Sequence, residues 1–253
     1  MTIFKMIREL KRVNLHQITN TYSTETIFKI IGVYVTPLFI YLKCSANITT
    51  VIALIVGLSA GITHMIFGYE SYHICISLYL LSVLIDYCDG NIARLTNTPS
   101  FFGRFIDGLF DILVIGFLQI SIFYNIFTDY TSYKDIHDFF NYDVVFIVAI
   151  ISIFSTPIQH LIYDRYSAFI RWINAEHGID LKPSLRYEIS FKIINLLDDI
   201  CLVCLIFSLF WTQLFFVYFI INLFLSFYLI VIHVFFAGKN MKIFADDHRK
   251  INK

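Results

Sequence analysis

The chain has 253 residues, of which 58% are apolar, 18% aromatic and only 15% charged. Globular proteins carry about 25% charged residues, so this chain cannot wet a water-facing surface, and its apolar content excludes intrinsic disorder. Nineteen Lys and Arg balance nineteen Asp and Glu, which leaves no global basic field and argues against nucleic acid as a partner. The composition is that of an all-α protein with several membrane spans.

In chain order, residues 1–26 come first, with Lys5, Arg8, Lys11 and Arg12. They read as a basic amphipathic arm on the membrane surface. The segment has no apolar core followed by a small-residue cleavage site, so no cleaved signal peptide is expected. Residues 30–42 form a thirteen-residue apolar stretch between Lys29 and Lys43, interrupted by Pro37. That length suits a helix at the interface or a re-entrant segment better than a span, which needs about 20 apolar residues. Six segments meet that length, at 48–68, 72–90, 104–127, 143–165, 190–210 and 213–236. A longer polar connection at 170–189 leaves room for a short surface helix before Gly178.

With six spans the two termini share one side with the 91–103 and 166–189 loops, and Lys134 alone among the 19 basic residues falls opposite. The positive-inside rule then puts both ends in the cytosol. The expected organisation is an arm and interfacial helix over 1–43, a six-helix domain over 44–238 and a cytosolic tail over 239–253. Cysteines 44, 75, 88, 201 and 204 are scattered through apolar segments. The Cys201-x-x-Cys204 pair has no second pair or nearby His, so it reads as helix packing rather than redox or zinc chemistry.

Chemistry concentrates in residues 86–111, DYCDGNIARLTNTPSFFGRFIDGLFD. Asp86 and Asp89 are three apart at the cytosolic end of the second span. Asp107 and Asp111 are four apart near the start of the third. On helices each pair shares a face, one turn apart, and the two spans are joined by a short loop. Four carboxylates can therefore converge just beneath the membrane surface. An ionised Asp at a span centre costs about 2.5–3.5 kcal/mol, and like charges repel. Divalent cations relieve both problems, and an all-oxygen set suits hard ions such as Mg²⁺, Mn²⁺ or Ca²⁺. Gly90 and Gly103 allow a ligand to approach the backbone closely, and Arg94 offers a forked donor for phosphate oxygens.

The pattern D-x-x-D-G-x-x-A-R-x8-G-x3-D-x3-D resembles the signature of the CDP-alcohol phosphotransferase (CDP-alcohol phosphatidyltransferase) family. It is filled by Asp86, Asp89, Gly90, Ala93, Arg94, Gly103, Asp107 and Asp111. Upstream, Asn47 and Thr50 match the family's P-N-x-[apolar]-T entry into its first span, with Ala46 in place of the proline and Thr49 in place of the apolar residue. The resemblance implies six transmembrane helices, often paired as a homodimer, with a cytosol-facing polar cavity. It implies transfer of a phosphoalcohol from a CDP-linked donor to an acceptor hydroxyl, releasing CMP. By that resemblance Asp86, Asp89, Asp107 and Asp111 hold one or two divalent ions, Mg²⁺ or Mn²⁺. Gly90, Ala93, Arg94, Gly103, Asn47 and Thr50 line the CDP site, Asp107 and Asp111 are catalytic, and Asp111 is the general base for the acceptor.

Acceptor choice should lie outside the signature. Gln159, His160 and Asp164 near the end of the fourth span, and Asp198 and Asp199 in the fifth, are intramembrane polar groups of the kind that mark functional sites. His160 and Asp164 can equally hydrogen-bond each other. Arg165, Arg171, Lys182 and Arg186 fit an acceptor phosphate, as in the family's inositol-phosphate branch, or ordinary positive-inside charge. The run Ala93–Thr98 is similar to bacterial phosphatidylserine synthases, but the residues after Asp107 lack their S-x-A-D-type sequence, so serine is unsupported. Glycerol phosphate, inositol phosphate and other polyols stay open. The leading expectation is phosphatidyl transfer from CDP-diacylglycerol to a small alcohol or polyol beside membrane lipid. The alternatives are a CDP-linked small alcohol or polyol donating to a lipid or glycan, and a cation transporter. Abundant Ile, Lys, Asn and Phe point to an AT-rich microbial genome without settling which membrane; the expected location is a prokaryotic cytoplasmic membrane.

Overall fold

The computed structural model describes residues 2–18, 24–98, 100–178 and 189–251, and every regular element among them is a helix. The α-helices are α1 (Ile3–Ile18), α2 (Thr24–Tyr41), α3 (Ala46–Phe67), α4 (Tyr72–Thr96), α5 (Phe101–Thr128), α6 (Lys134–Phe139), α7 (Tyr142–His177), α8 (Ile189–Phe207) and α9 (Gln213–Ile251), and a 3₁₀ turn at Tyr69–Ser71 leads into α4. Long apolar runs are forced into helix in lipid, because only internal hydrogen bonds can satisfy their backbone there. Among the described residues six helical segments are long and apolar enough to cross a membrane: Thr24–Tyr41, Ala46–Phe67, Tyr69–Thr96, Phe101–Thr128, Tyr142–Glu176 and Gln213–Met241. Their outward faces carry large apolar side chains, such as Phe154, Phe224 and Val231, exposed by 67%, 68% and 63%. Such faces are suited to lipid and would aggregate in water.

Five of those six segments coincide with spans read from the sequence, and α8 occupies the remaining one, 190–210. The thirteen-residue stretch 30–42 is the later part of a longer helix, α2, which has 18 residues and contains Pro37. Lys29 does not end that helix. It pairs with Glu25 one turn earlier (2.7 Å) inside it. The surface segment expected before Gly178 is likewise continuous with the span before it. α7 runs 36 residues, through Pro157, and stops only where Gly178 turns left-handed at φ 64°.

The chain forms two compact units, Met1–Phe140 with Leu205–Phe215, and Asn141–Cys204 with Phe216–Lys253. In the first, α3 is the central helix and packs on both α4 and α5, while α2 packs on α4 and α1 lies on α2 and α4. Gly57 and Gly61, four apart on one face of α3, permit this. A Cβ on Gly57 would stand 2.6 Å from Val114 and 2.7 Å from Ser82, and one on Gly61 would stand 2.5 Å from Phe117. Small residues at this spacing let membrane helices approach closely, where dispersion rather than water exclusion drives association. Ser82 adds a hydrogen bond from its hydroxyl to the Ala53 carbonyl (2.7 Å).

The end of this unit farthest from the α4–α5 connection is tied by a buried polar cluster. Tyr69 donates to the carbonyls of Ser208 (2.9 Å) and Leu209 (3.0 Å), and Tyr72 donates to that of Leu205 (2.8 Å). His64 meets Tyr133 through Nε2 (3.2 Å), and Phe215 stacks edge-on against Tyr72. In the second unit, Asn222 of α9 donates to Ser152 (2.8 Å) and Thr156 (2.9 Å) of α7, and Asn240 donates to Tyr166 (3.0 Å). Tyr166, Ile170, Leu225 and Leu229 form its apolar core.

The close crossing makes a differential prediction. Gly57→Val overpacks the α3–α5 contact and should cost about 1–3 kcal/mol, seen as a lower thermal midpoint in detergent. Gly116→Ala has open space around the new methyl group, and should be neutral or stabilising by about 0.5–1 kcal/mol through helix propensity. Equal midpoints for the two variants would refute the crossing.

Candidate active site

Three helix ends meet near the α4–α5 connection. α3 starts at the Ser45 cap, whose hydroxyl accepts from Ile48 N (3.3 Å), and carries Asn47 and Thr50 one turn apart. α4 ends after Arg94 because Asn97 takes the left-handed conformation at φ 54°, and the Ala93 carbonyl accepts the Thr98 N–H (3.0 Å). α5 restarts at once from Ser100, whose hydroxyl accepts from Gly103 N (2.8 Å). This tight reversal sets the last turns of α4 against the first turns of α5, with the N-terminus of α3 beside both.

The arrangement brings Asp86, Asp89 and Asp107 together: one carboxylate oxygen of each lies within 4.8 Å of the others. Asp86 and Asp107 sit at hydrogen-bond distance from each other. Asp89 is 8% exposed, and Thr50 Oγ1 donates to its Oδ2 at 2.5 Å. Asp111 is exposed and stands outside the triad, though near enough to act on Asp86 and Asp89 through its charge. Gly103 and Asn47 are neighbours, since a Cβ at position 103 would lie 3.1 Å from Asn47 Oδ1. The Arg94 guanidinium lies over Gly90, 3.4 Å from where a Cβ would be, within electrostatic reach of Asp89.

Carboxylates so close in surroundings of low polarity need a proton or a cation between them. The donor set fits a hard divalent ion. Two opposed oxygens on such an ion are about 4.2–4.8 Å apart at bond lengths of 2.1–2.4 Å, so oxygens within 4.8 Å of one another lie within reach of one ion. Thr50 then stands behind Asp89 as the group that orients its carboxylate. Two neighbours escaped the sequence reading. Arg104, one turn before Asp107, bears on its charge, and Asn91 accepts a hydrogen bond from Arg94 Nη2 (2.9 Å). Both fall on unspecified positions of the signature, and only their i,i+3 spacing to Asp107 and Arg94 could have flagged them.

The acceptor candidates lie in α7, in the second unit. His160 and Asp164 are electrostatic neighbours. Gln159 accepts from Ser226 (2.7 Å), and Arg171 Nε donates to the Ser167 carbonyl of its own helix (3.0 Å). Arg165 is exposed, and Arg186, with Lys182, lies outside the described residues.

Residues 43–173 match the family model for CDP-alcohol phosphatidyltransferase, a span that contains all eight signature residues and the α7 candidates up to Arg171. No curated protein matches the sequence. Among solved structures, the apo form of phosphatidylinositol phosphate synthase from Mycobacterium tuberculosis is similar over 79% of this chain and 92% of that one. The TM-score is 0.54 at 13% identity, a likeness of fold.

The Thr50–Asp89 contact is testable by metal binding alone. Thr50→Val should weaken Mn²⁺ binding about 10–100-fold, measured by electron paramagnetic resonance on purified protein, while Thr50→Ser should stay close to wild type. Undiminished Mn²⁺ affinity in Thr50→Val would remove Thr50 from the site.

Proposed function

The chain belongs to the CDP-alcohol phosphatidyltransferase family and is a CDP-alcohol phosphotransferase of the membrane; we propose that its donor is CDP-diacylglycerol and its acceptor the hydroxyl of a small alcohol or polyol, with release of CMP. The carrying observation is the gathering of Asp86, Asp89 and Asp107 within 4.8 Å inside the matched region. A site that must hold a pyrophosphate against the protein needs such concentrated negative charge only if a cation mediates.

In this reading Asp86, Asp89, Asp107 and Asp111 hold one or two divalent ions, Mg²⁺ or Mn²⁺. Bound there, the ion supplies charge neutralisation for the pyrophosphate and for the departing CMP. Arg94 places its forked donors on phosphate oxygens, and Gly90, Ala93 and Gly103 leave the donor room beside the backbone. Asn47 and Thr50 close the α3 side. The acceptor oxygen attacks the phosphorus that bears the diacylglycerol, and the bond from that phosphorus to the CMP oxygen breaks. The acceptor's proton passes to Asp111, whose exposure and position one turn beyond Asp107 support its role as base. An alcohol is a weak nucleophile at neutral pH, and removing its proton in the transition state contributes about 10²–10⁴-fold. His160, Arg165, Arg171 and Arg186 are proposed to receive the acceptor. Both termini and this chemistry are assigned to the cytosolic side of a prokaryotic membrane, in a homodimer.

A cation pathway would spread carboxylates through the bilayer; among the described residues the cluster with metal-ligand spacing is confined to one helix junction. The deciding experiment measures CMP release by purified protein in mixed micelles. CDP-diacylglycerol is tested with glycerol phosphate, inositol phosphate and serine, and CDP-linked small alcohols are tested with diacylglycerol. The expected result is metal-dependent CMP release from CDP-diacylglycerol with a phosphorylated polyol. Release only from the small-alcohol donors would reverse the donor assignment. Asp111→Ala should lower kcat about 10²–10⁴-fold, and turnover unchanged by that substitution would remove Asp111 as the base.

A further inference from the structure

Arg94 is the end of a buried hydrogen-bonded chain that leads away from the aspartates. Its Nη2 donates to Asn91 Oδ1 (2.9 Å), and the same oxygen accepts from Asn14 Nδ2 of α1 (2.8 Å). Asn91 Nδ2 donates to Thr36 Oγ1 of α2 (3.1 Å), whose hydroxyl donates to the Gly32 carbonyl (2.6 Å). Asn91, Asn14 and Thr36 are 2%, 3% and 0% exposed. The direction of every bond is fixed from its two ends. A guanidinium can only donate and a backbone carbonyl can only accept. Asn91 must therefore turn its oxygen to Arg94 and its nitrogen to Thr36.

Asn14 must in turn present its nitrogen to Asn91, which leaves Asn14 Oδ1 buried and, among the described residues, with no hydrogen-bond partner. A lone buried acceptor is unfavourable, so Asn14 holds its hydrogen bond to Asn91 against an unsatisfied oxygen of its own. α1 is docked at two further points. Leu10 is completely buried, and the Lys11 ammonium lies 4.9 Å from the centre of the Tyr34 ring. The first helix of the chain is thus joined to the signature arginine by a single shared amide.

We propose that Asn91 is a positioning residue for Arg94, and that α1, through Asn14, is part of the scaffold that aims Arg94 at the donor's phosphates. The inference rests on the reading of Arg94 as a donor-binding group. Arginine has many rotamers, and a ligand that must first order it binds less tightly than one that finds it already placed. Asn91 removes that ordering step, and Asn14 keeps Asn91 from turning. Docking of the amphipathic helix on the membrane-embedded helices thereby sets donor affinity, without α1 touching the donor.

The test is a double-mutant cycle on the full chain in mixed micelles, with thermal midpoints recorded for each variant. Asn91→Leu should raise KM for the CDP donor about tenfold with little change in acceptor KM, and Asn14→Leu should raise donor KM by a smaller factor. On an Arg94→Ala background neither substitution should raise donor KM further, because the group they position is gone. A merely structural role would give effects that multiply in the double variants, and that result overturns the inference. Unchanged donor KM in well-folded Asn91→Leu and Asn14→Leu overturns it too. If Asn91→Leu does not fold, the Asn14→Leu and Arg94→Ala cycle decides alone. No CMP release by wild type from any donor would overturn the proposed function and this inference with it. Normal wild-type kinetics with multiplicative variants would overturn the inference only.

Discussion

Mutual repulsion among three carboxylates at the edge of a low-dielectric environment is the constraint around which the first unit is organised. Asp86, Asp89 and Asp107 are brought within 4.8 Å of one another, an arrangement that a polypeptide does not adopt without compensation. The compensation is structural before it is ionic. α3 has no bulky side chain at positions 57 and 61, so α5 can come close enough for Asp107 to face α4. The Asn97 turn and the Ser100 cap make the α4–α5 reversal short. Thr50 meets Asp89 from the third side. Each device is weak alone. Together they fix the carboxylates with a spread that an oxygen-seeking divalent ion can bridge.

The parts legible in the sequence were those governed by helical periodicity. Asp86 with Asp89, and Asp107 with Asp111, are related by i,i+3 and i,i+4 spacing, which places each pair on one face before any tertiary contact is known. Asn47 and Thr50 were legible through resemblance, and the structure sets one beside Gly103 and the other on Asp89. Asp111 shows the limit of periodicity. It shares a helix face with Asp107, yet it stays outside the close triad, so a shared face does not by itself bring two carboxylates together.

What was not legible depends on contacts far apart in the chain. Asn14 and Asn91 are 77 positions apart, and neither has a local pattern that announces the other. The GLSAG run over residues 57–61 carried the close-approach spacing but was hidden among other apolar residues. The start of α2 was obscured by Glu25 and Lys29, which look like a polar boundary in one dimension and are an ion pair along one helix face in three. The break expected between span and surface helix after residue 165 is absent, because amphipathic and apolar turns join smoothly in α7 when no Gly or Pro separates them.

The Ser100 hydroxyl has two duties whose coincidence shapes how this protein can evolve. It nucleates α5 by accepting from the Gly103 N–H (2.8 Å), and it also occupies the volume that any Cβ at residue 103 would enter, at 2.9 Å. A larger residue at 103 would therefore fill space beside Asn47 and unseat the cap of the helix that carries Asp107. Folding and chemistry impose the same alphabet of one letter at that position. Drift there is closed off unless position 100 changes with it, so the pair should vary together across lineages or not at all.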